Sequence, residues 1–262
     1  RSMKILLHTS KTMKQKVTSL PGASIPVFLE QASLLMDEVK ELKLEEISKI
    51  MHISQKLAGS VAQTHAHWSV DPKYQSLAVD TFVGDIYSGL QVANWTLKDR
   101  EYAQYTLRIL SGLYGVLRPN DGIMPYRLEM GYALRGPNWK NLYDFWAPHL
   151  KTQFNSDELI INLSAVEYTK ALLPYISNNQ VIQPYFMTIS PKTKEPTFVV
   201  VHAKIARGAF ASWMIRNRVS SRGELKQFNE LGYHYAAELS ETDKPVYVCK
   251  EFEGVGLSVR LK

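Results

Sequence analysis

Short apolar segments with strand character alternate with helical patterns along this chain, and this alternation limits the fold more than any other feature. Strands are predicted where strand-forming side chains lie between turn residues: residues 4–8, 159–164, 181–185, 197–202 and 246–250. Helices are predicted where apolar side chains recur every three or four positions: residues 27–42, residues 98–111 and a segment from residue 203. No glycine-, serine- or proline-rich linker divides the chain, and no repeat of about 20 to 50 residues recurs. We predict an α/β fold, a single compact domain over residues 3–262 with a mixed sheet flanked by helices.

Composition and cysteine usage narrow the class of protein. The chain is 45% hydrophobic and 21% charged, which is typical of folded globular proteins and argues against disorder. Cys249 is the single cysteine, so no intramolecular disulfide can form and a reducing compartment is favoured. No run approaches the roughly 20 apolar residues of a membrane span, and no signal-peptide pattern is seen. We expect a cytoplasmic protein without a membrane partner, and we interpret Arg1 and Ser2, before Met3, as a cloning remnant.

Net charge and motifs point to binding of an anion more than to a common enzyme class. The formal charge is +6 with a pI near 9.2, which favours polyanionic partners. The chain lacks the P-loop, dinucleotide-binding, nucleophile-elbow and zinc-protease motifs, so no cofactor is predicted. His65 and His67 stand two apart with no third ligand nearby, which is more typical of packed or surface histidines, so no metal site is predicted.

A pair of glycines lies in residues 110–119, where the predicted helix ends. Gly112 and Gly115 are followed by an apolar pair and by Arg118. Such a turn can expose backbone amides to a phosphate, as in a helix-hairpin-helix element, because glycine permits close approach. The alternative is that both glycines only cap and turn the helix. Under the first interpretation, the turn lies at the solvent edge.

The segment of residues 196–223 contains five cations and no acidic side chain. On a helix, Lys204, Arg207 and Arg218 lie within roughly 60° of one another, and apolar residues occupy most of the other faces. This pattern predicts a cationic stripe that lines a cleft. The alternative is ion pairing inside the fold with carboxylates such as Glu129 or Glu167.

Seven ordered blocks of the sequence resemble motifs of the YaaA peroxide-stress protein family. They cover nearly the entire chain and fall within residues 53–59, 82–90, 110–119, 125–130, 142–146, 161–168 and 204–208. The resemblance implies a bacterial cytosolic protein with a compact α/β fold, a positively charged cleft and a helix-hairpin-helix-like element. It also implies DNA binding, protection against hydrogen peroxide and an association with limiting intracellular iron.

Our first hypothesis is a DNA-binding protein of the peroxide response. It would bind the phosphate backbone of duplex or branched DNA with little sequence specificity, since no segment resembles a recognition helix for base edges. Phosphate contacts are predicted at Lys11, Lys56, Arg118, Arg127, Lys204 and Arg207, with close backbone approach at Gly112 and Gly115.

The rival hypothesis is an enzyme that acts on a phosphorylated small molecule or nucleotide in the same cleft. Cations beside a carboxylate can serve acid/base chemistry as well as binding. An enclosed pocket that contains Glu129 or Glu167 beside a basic group would favour the enzyme, whereas a long open groove would favour DNA. An interaction scaffold is a third possibility. The groups that the enzyme would use are Lys56, Ser111, Arg127, Glu129, Lys204 and Arg207.

Overall fold

Helices and strands alternate through residues 2–16 and 22–258, the parts of the chain that the computed structural model describes. The α-helices are α1 (Leu29–Lys40), α2 (Leu44–Met51), α3 (Gln55–His67), α4 (Ala78–Thr81), α5 (Asp85–Leu90), α6 (Leu97–Thr106), α7 (Leu142–Trp146), α8 (Val166–Thr169) and α9 (Val200–Arg216). The strands are β1 (Met3–His8), β2 (Thr12–Met13), β3 (Ser76–Leu77), β4 (Phe82–Val83), β5 (Leu107–Ser111), β6 (Gly115–Leu117), β7 (Gly122–Ile123), β8 (Leu159–Asn162), β9 (Val181–Ile182), β10 (Tyr185–Ile189), β11 (Pro196–Thr197), β12 (Tyr233–Tyr235) and β13 (Val246–Cys249). The predicted mixture of helices with mixed sheets is confirmed.

The central sheet has five strands in the order β6-β5-β1-β8-β9. Strand β1 runs parallel to both β5 and β8, and β8 runs parallel to β9, whereas β6 returns antiparallel to β5. Leu6 and Leu7 are fully buried although they point to opposite faces of β1. Both faces of the sheet are therefore covered, as is usual for parallel strands.

A second sheet, in the order β11-β10-β13-β12, carries an aromatic cluster. Phe186 on β10 stacks on Tyr247 of β13 at a ring-centroid distance of 5.4 Å. It also packs edge-on at 5.6 Å against Phe210 of α9. The rings from the second sheet and the ring from α9 are all buried, so their packing holds α9 against this sheet.

Helices α5 and α9 cross at a contact that only glycine allows. A Cβ on Gly208 would lie 1.8 Å from the carbonyl oxygen of Ile86, and a Cβ on Gly89 would lie 2.0 Å from that of Ile205. Helix α5 is itself tied to β1, because the Tyr87 hydroxyl donates a 2.8 Å hydrogen bond to the carbonyl of His8. The glycine crossing therefore fixes α9 relative to the end of the central strand.

Three predicted elements are wrong. The strand predicted over residues 181–185 is divided between β9, which ends at Ile182 in the central sheet, and β10, which begins at Tyr185 in the second sheet. The helix predicted over residues 98–111 ends at Thr106, and Leu107–Ser111 is a strand whose Leu107 pairs with Ile5. The apolar spacing that suggested a longer helix is instead one buried helix position followed by a buried strand. The strand predicted over residues 197–202 stops at Thr197, since helix α9 begins at Val200.

We expect Gly208→Ala to destabilise the protein, because the added methyl group must displace backbone rather than a flexible side chain. Overpacking of this kind costs about 1–3 kcal/mol. The matched control is Gly59→Ala in helix α3, where an added Cβ meets nothing within 4 Å. This control should stabilise the helix by up to about 1 kcal/mol. Urea unfolding measures both changes, and a Gly208→Ala variant as stable as the parent chain would contradict the tight crossing.

Candidate functional site

The parallel strands of the central sheet end at one edge, beside a cavity. Strand β1 ends at His8, β5 at Ser111 and β8 at Asn162. The chain leaves β1 to form β5 on one side and later returns to form β8 on the other side. In open α/β sheets the ligand crevice lies outside the carboxyl ends of the strands, at the place where the strand order reverses. Here that place is the end of β1.

The cavity at this edge has a volume of about 480 Å³, which lies in the range of small-molecule sites. Its wall is built by the segments after β1 and β4, by the residues around α8, and by single side chains from elsewhere. The wall includes Thr9, Ser10, Lys11, Thr12, Val83, Gly84, Asp85, Tyr87, Glu129, Ala165, Glu167, Tyr168 and Lys204. Hydroxyl, carboxyl and ammonium groups therefore converge on one cavity.

A carboxyl and a phenol form a close pair in the cavity wall. The hydroxyl of Tyr168 donates a short hydrogen bond to Oε2 of Glu129, and the hydroxyl of Thr9 lies 3.4 Å from that of Tyr168. Burial raises the pKa of Glu129, while the Tyr168 hydrogen bond acts in the opposite direction. Lys11 places its ammonium 3.9 Å from the other oxygen of Glu129. This carboxyl can therefore accept or release a proton more readily near neutral pH than an exposed one.

His8 lies between this pair and the cations of α9. Its ring stacks on Tyr168 at 4.7 Å, and its Nδ1 accepts a 3.1 Å hydrogen bond from the backbone N–H of Ala165. Burial, followed by the positive charges of Arg207 and Lys204, lowers the pKa of His8 to about 3. The imidazole is therefore neutral at physiological pH, and the positive charge at this edge comes from lysine and arginine.

Arg207 differs from the other partly buried arginines. Burial lowers the pKa of its guanidinium, yet within residues 2–16 and 22–258 its side chain makes no ion pair or hydrogen bond. Five other arginines pair with a carboxylate: Arg100, Arg118, Arg216, Arg218 and Arg222. A buried charge without a partner is costly, so this position fits an arginine that meets its anion from outside.

The predicted phosphate-binding residues are only partly brought together. Lys11 and Lys204 line the cavity, and Arg207 lies one helical turn beyond Lys204. Arg127 donates from Nε to the hydroxyl of Tyr132 and contributes to the electrostatics of Glu129. Lys56 is an exposed residue on α3.

Two other arginines that were predicted to lie in the cleft or the cationic stripe, Arg118 and Arg218, form ion pairs with carboxylates. Arg118 pairs with Asp121 and donates to the carbonyl of Ile25. Arg218 was predicted to share the stripe of Lys204, but α9 ends at Arg216 and Arg218 has a φ of 52°. It pairs instead with Asp99. Within the described residues, Arg207 forms an ion pair with neither Glu129 nor Glu167.

The glycine turn is not a helix-hairpin-helix. Strand β5 ends at Ser111 and β6 begins at Gly115, antiparallel to it, so the segment is a β-hairpin. Gly115 adopts a φ of +74°, a conformation that favours glycine, but the turn is buried rather than at the predicted solvent edge. A Cβ on Gly112 would meet the carbonyl of Leu128 at 2.1 Å, and one on Gly115 would meet the ring of Trp146 at 2.7 Å. Both glycines are required by packing.

Sequence reasoning missed three side chains that form the centre of the site. Thr9 and Tyr168 were not singled out as site residues, and His8 was not assigned a role. The signal that could have found His8 and Thr9 is their position at the end of β1, because polar residues at strand ends gather at one edge. Tyr168 lies on α8, beyond the end of β8. The contact between Thr9 and Tyr168 joins residues 159 positions apart, which no local pattern reveals.

The described ranges show neither a metal-binding cluster nor a membrane-spanning helix. In residues 2–16 and 22–258, no three His, Cys, Asp or Glu side chains are arranged to hold a metal ion. His65 is buried, and its Nε2 accepts a 3.0 Å hydrogen bond from the N–H of Arg127. Over these ranges no helix is both long and apolar enough to cross a membrane.

A mostly parallel sheet with helices and a polar cavity at its carboxyl edge defines an α/β protein whose cavity lies where such folds commonly bind ligands. The chain belongs to the peroxide stress protein YaaA family, whose model matches residues 3–239. It is 46% identical to a UPF0246 protein of Salinispora tropica over 98% of each chain. A UPF0246 protein of Shewanella sp. strain MR-4 is 39% identical over 94% of this chain and 98% of its own. One from Shewanella baltica strain OS185 is 38% identical over 95% of this chain and 100% of its own. The resemblance to the YaaA family is confirmed.

We expect the stability of the protein to fall with acidity in a manner that depends on His8. In the unfolded chain the imidazole binds its proton near pH 6.5, whereas in the fold it does so only near pH 3. The unfolded chain binds the extra proton between these values, so stability that is present at pH 7 is lost as the pH falls. From pH 7 to pH 5 the parent chain should lose up to about 2 kcal/mol more than His8→Asn. Urea unfolding at both pH values measures the difference, and equal losses would contradict the buried neutral imidazole.

Proposed function

We propose that the protein acts in the bacterial response to peroxide by binding the phosphate groups of DNA at the basic side of the cavity. The observation that carries the proposal is Arg207, a partly buried guanidinium with no carboxylate partner among residues 2–16 and 22–258. Lys204 and Lys11 bring further positive charge to the same edge. The proposal includes a cytoplasmic location and the link to limiting intracellular iron.

Arginine is suited to this role because its planar guanidinium stays charged and can donate two parallel hydrogen bonds to a phosphate. Its burial strengthens such a contact, since the local dielectric is lower than that of water. The cost of burying the charge is then offset when the anion binds. A position of this kind favours a phosphate over a weakly held counterion.

Recognition through phosphates implies little dependence on sequence. Helix α9, which carries Lys204 and Arg207, is buried along most of its length and packs against α5 and β10. A helix held in this way cannot enter the major groove to contact base edges. Phosphate contacts position a protein on DNA without specifying its sequence. The expected property is therefore similar affinity for scrambled DNA sequences.

An enzyme that acts on a phosphorylated small molecule or nucleotide is the second candidate. The specific observation that favours it is the hydrogen-bonded pair of Glu129 and Tyr168 in the wall of a cavity of about 480 Å³, with Lys11 beside the carboxyl. Glu129 would be the acid or base and the cations would hold the phosphate. The candidates differ in what they need from Glu129. Binding through DNA phosphates does not need its carboxyl, whereas proton transfer does.

We expect Arg207→Gln to weaken binding to all DNA sequences alike. Because one fewer phosphate is neutralised, the slope of log affinity against log salt should become shallower by about 1. A salt-titrated binding assay with duplex, branched and single-stranded DNA measures this slope, and a melting temperature measured beside it monitors folding. The matched control is Arg222→Gln, whose arginine is paired with Asp243 and lies outside the cavity wall.

An unchanged slope in Arg207→Gln would remove this residue from the DNA site. Loss of affinity together with a lowered melting temperature and an unchanged slope would mean that Arg207 supports the fold. Absence of binding to every DNA form would contradict the proposed function as a whole.

A further inference from the structure

A short groove beside the cavity has two exposed aromatic rings at its rim. Tyr185 begins strand β10 and is 39% exposed, and Phe198 precedes helix α9 and is 53% exposed. The same groove is lined by Arg207. It therefore combines a cation that lacks a described partner with two flat apolar surfaces.

The exposure of these rings contrasts with the aromatic residues around them. Phe186, the neighbour of Tyr185, is buried in the cluster of the second sheet. Within the described parts of the chain, neither Tyr185 nor Phe198 packs against another aromatic ring. The hydroxyl of Tyr185 is close enough to Arg207 to influence its pKa. Both rings thus line the same groove as Arg207 while remaining partly exposed.

Two amides form the floor of the groove. The Oδ1 of Asn162 accepts hydrogen bonds from the backbone and the hydroxyl of Ser164, at 3.1 and 2.6 Å. Its Nδ2 points to the Oε1 of Gln183 at a long distance of 3.4 Å. The amide NH₂ of Gln183 donates to no acceptor within residues 2–16 and 22–258. This floor offers a hydrogen-bond donor next to the aromatic faces.

We propose that the groove binds one unpaired nucleotide, with its phosphate on Arg207 and its base stacked on Phe198. The groove encloses only about 20 Å³, so a base lies across the open ring rather than inside the protein. Stacking of this kind is the usual way in which proteins hold unpaired bases, and it tolerates every base because each has an aromatic face. The inference rests on the proposed function, since it assigns the nucleic-acid form that the phosphate site prefers.

A paired base cannot make this contact, because its faces are covered by its neighbours in the duplex. The groove therefore selects single-stranded segments, strand ends or opened regions over continuous duplex. Positioning by phosphate and stacking of the adjacent base are separable, since they use different side chains. The shared chemistry of a phosphate with an attached base occurs both in a DNA strand and in a free nucleotide.

The test compares Phe198→Leu with the parent chain in binding to an oligothymidylate and to a duplex of equal length. Leucine keeps apolar bulk but removes the ring. We expect binding of the single strand to weaken by about 5- to 100-fold, the range of one lost base stack. Duplex binding and the salt slope should stay unchanged. The matched control is Tyr105→Leu, which removes a 69% exposed ring outside the groove and should alter neither affinity.

Phe198→Tyr retains the ring and should bind the single strand within about twofold of the parent chain, which guards against a folding defect in the leucine variant. Single-strand affinity that is the same in Phe198→Leu as in the parent chain would overturn the inference. An equal loss for single strand and duplex would also overturn it.

This failure is distinguishable from failure of the proposed function. If DNA binds with a slope that depends on Arg207 but not on Phe198, only the stacking inference fails. If no DNA form binds, the DNA proposal fails. Thymidine monophosphate is then used as a second probe. If it binds in a manner that depends on Phe198 while no oligonucleotide binds, the groove holds a free nucleotide. If neither probe binds, the inference is overturned.

Discussion

The close crossing of helices α5 and α9 is the constraint on which the site depends. Gly89 and Gly208 allow the two backbones to approach to a distance that no side chain permits. The Tyr87 hydroxyl of helix α5 is hydrogen-bonded to the end of β1. The crossing therefore fixes the position of α9 relative to β1. Lys204 and Arg207 reach the carboxyl edge of the central sheet for this reason. A basic pair on a buried helix is unusual, and here the packing of the fold accounts for its location.

The electrostatics of the edge follow from this arrangement. The charges of Arg207 and Lys204, together with burial, keep His8 neutral, so the imidazole acts as a hydrogen-bond acceptor and a stacking surface for Tyr168. Burial has the opposite consequence for Glu129, whose protonated form it favours. Lys204 and the carboxyl of Glu129 thus line one cavity, and Lys11 lies beside that carboxyl. The DNA proposal and the enzyme alternative both place a phosphate on the cations. They differ in whether the carboxyl of Glu129 takes part.

The sequence predicted the strands at residues 4–8, 159–164 and 246–250 and the helix that carries Lys204 and Arg207, because hydrophobic periodicity reports burial directly. It failed where one local pattern suits two structures. The glycine turn of residues 112–115 fits a helix end and a β-hairpin equally well, and pairing of β5 with β1 decides between them. The contact of Thr9 with Tyr168 could not be predicted, since it exists only after distant strands align. Local propensity contains no information about such partners.

A crystal structure of the protein with a short oligothymidylate tests the central claim most directly, because it locates the anion that Arg207 meets. The account predicts a phosphate oxygen within about 3 Å of the Arg207 guanidinium, the distance of a charge-assisted hydrogen bond. It also predicts that this phosphate lies at the carboxyl edge of the central sheet, beside Lys204. An ordered oligonucleotide whose phosphates all lie away from Arg207 would contradict the account.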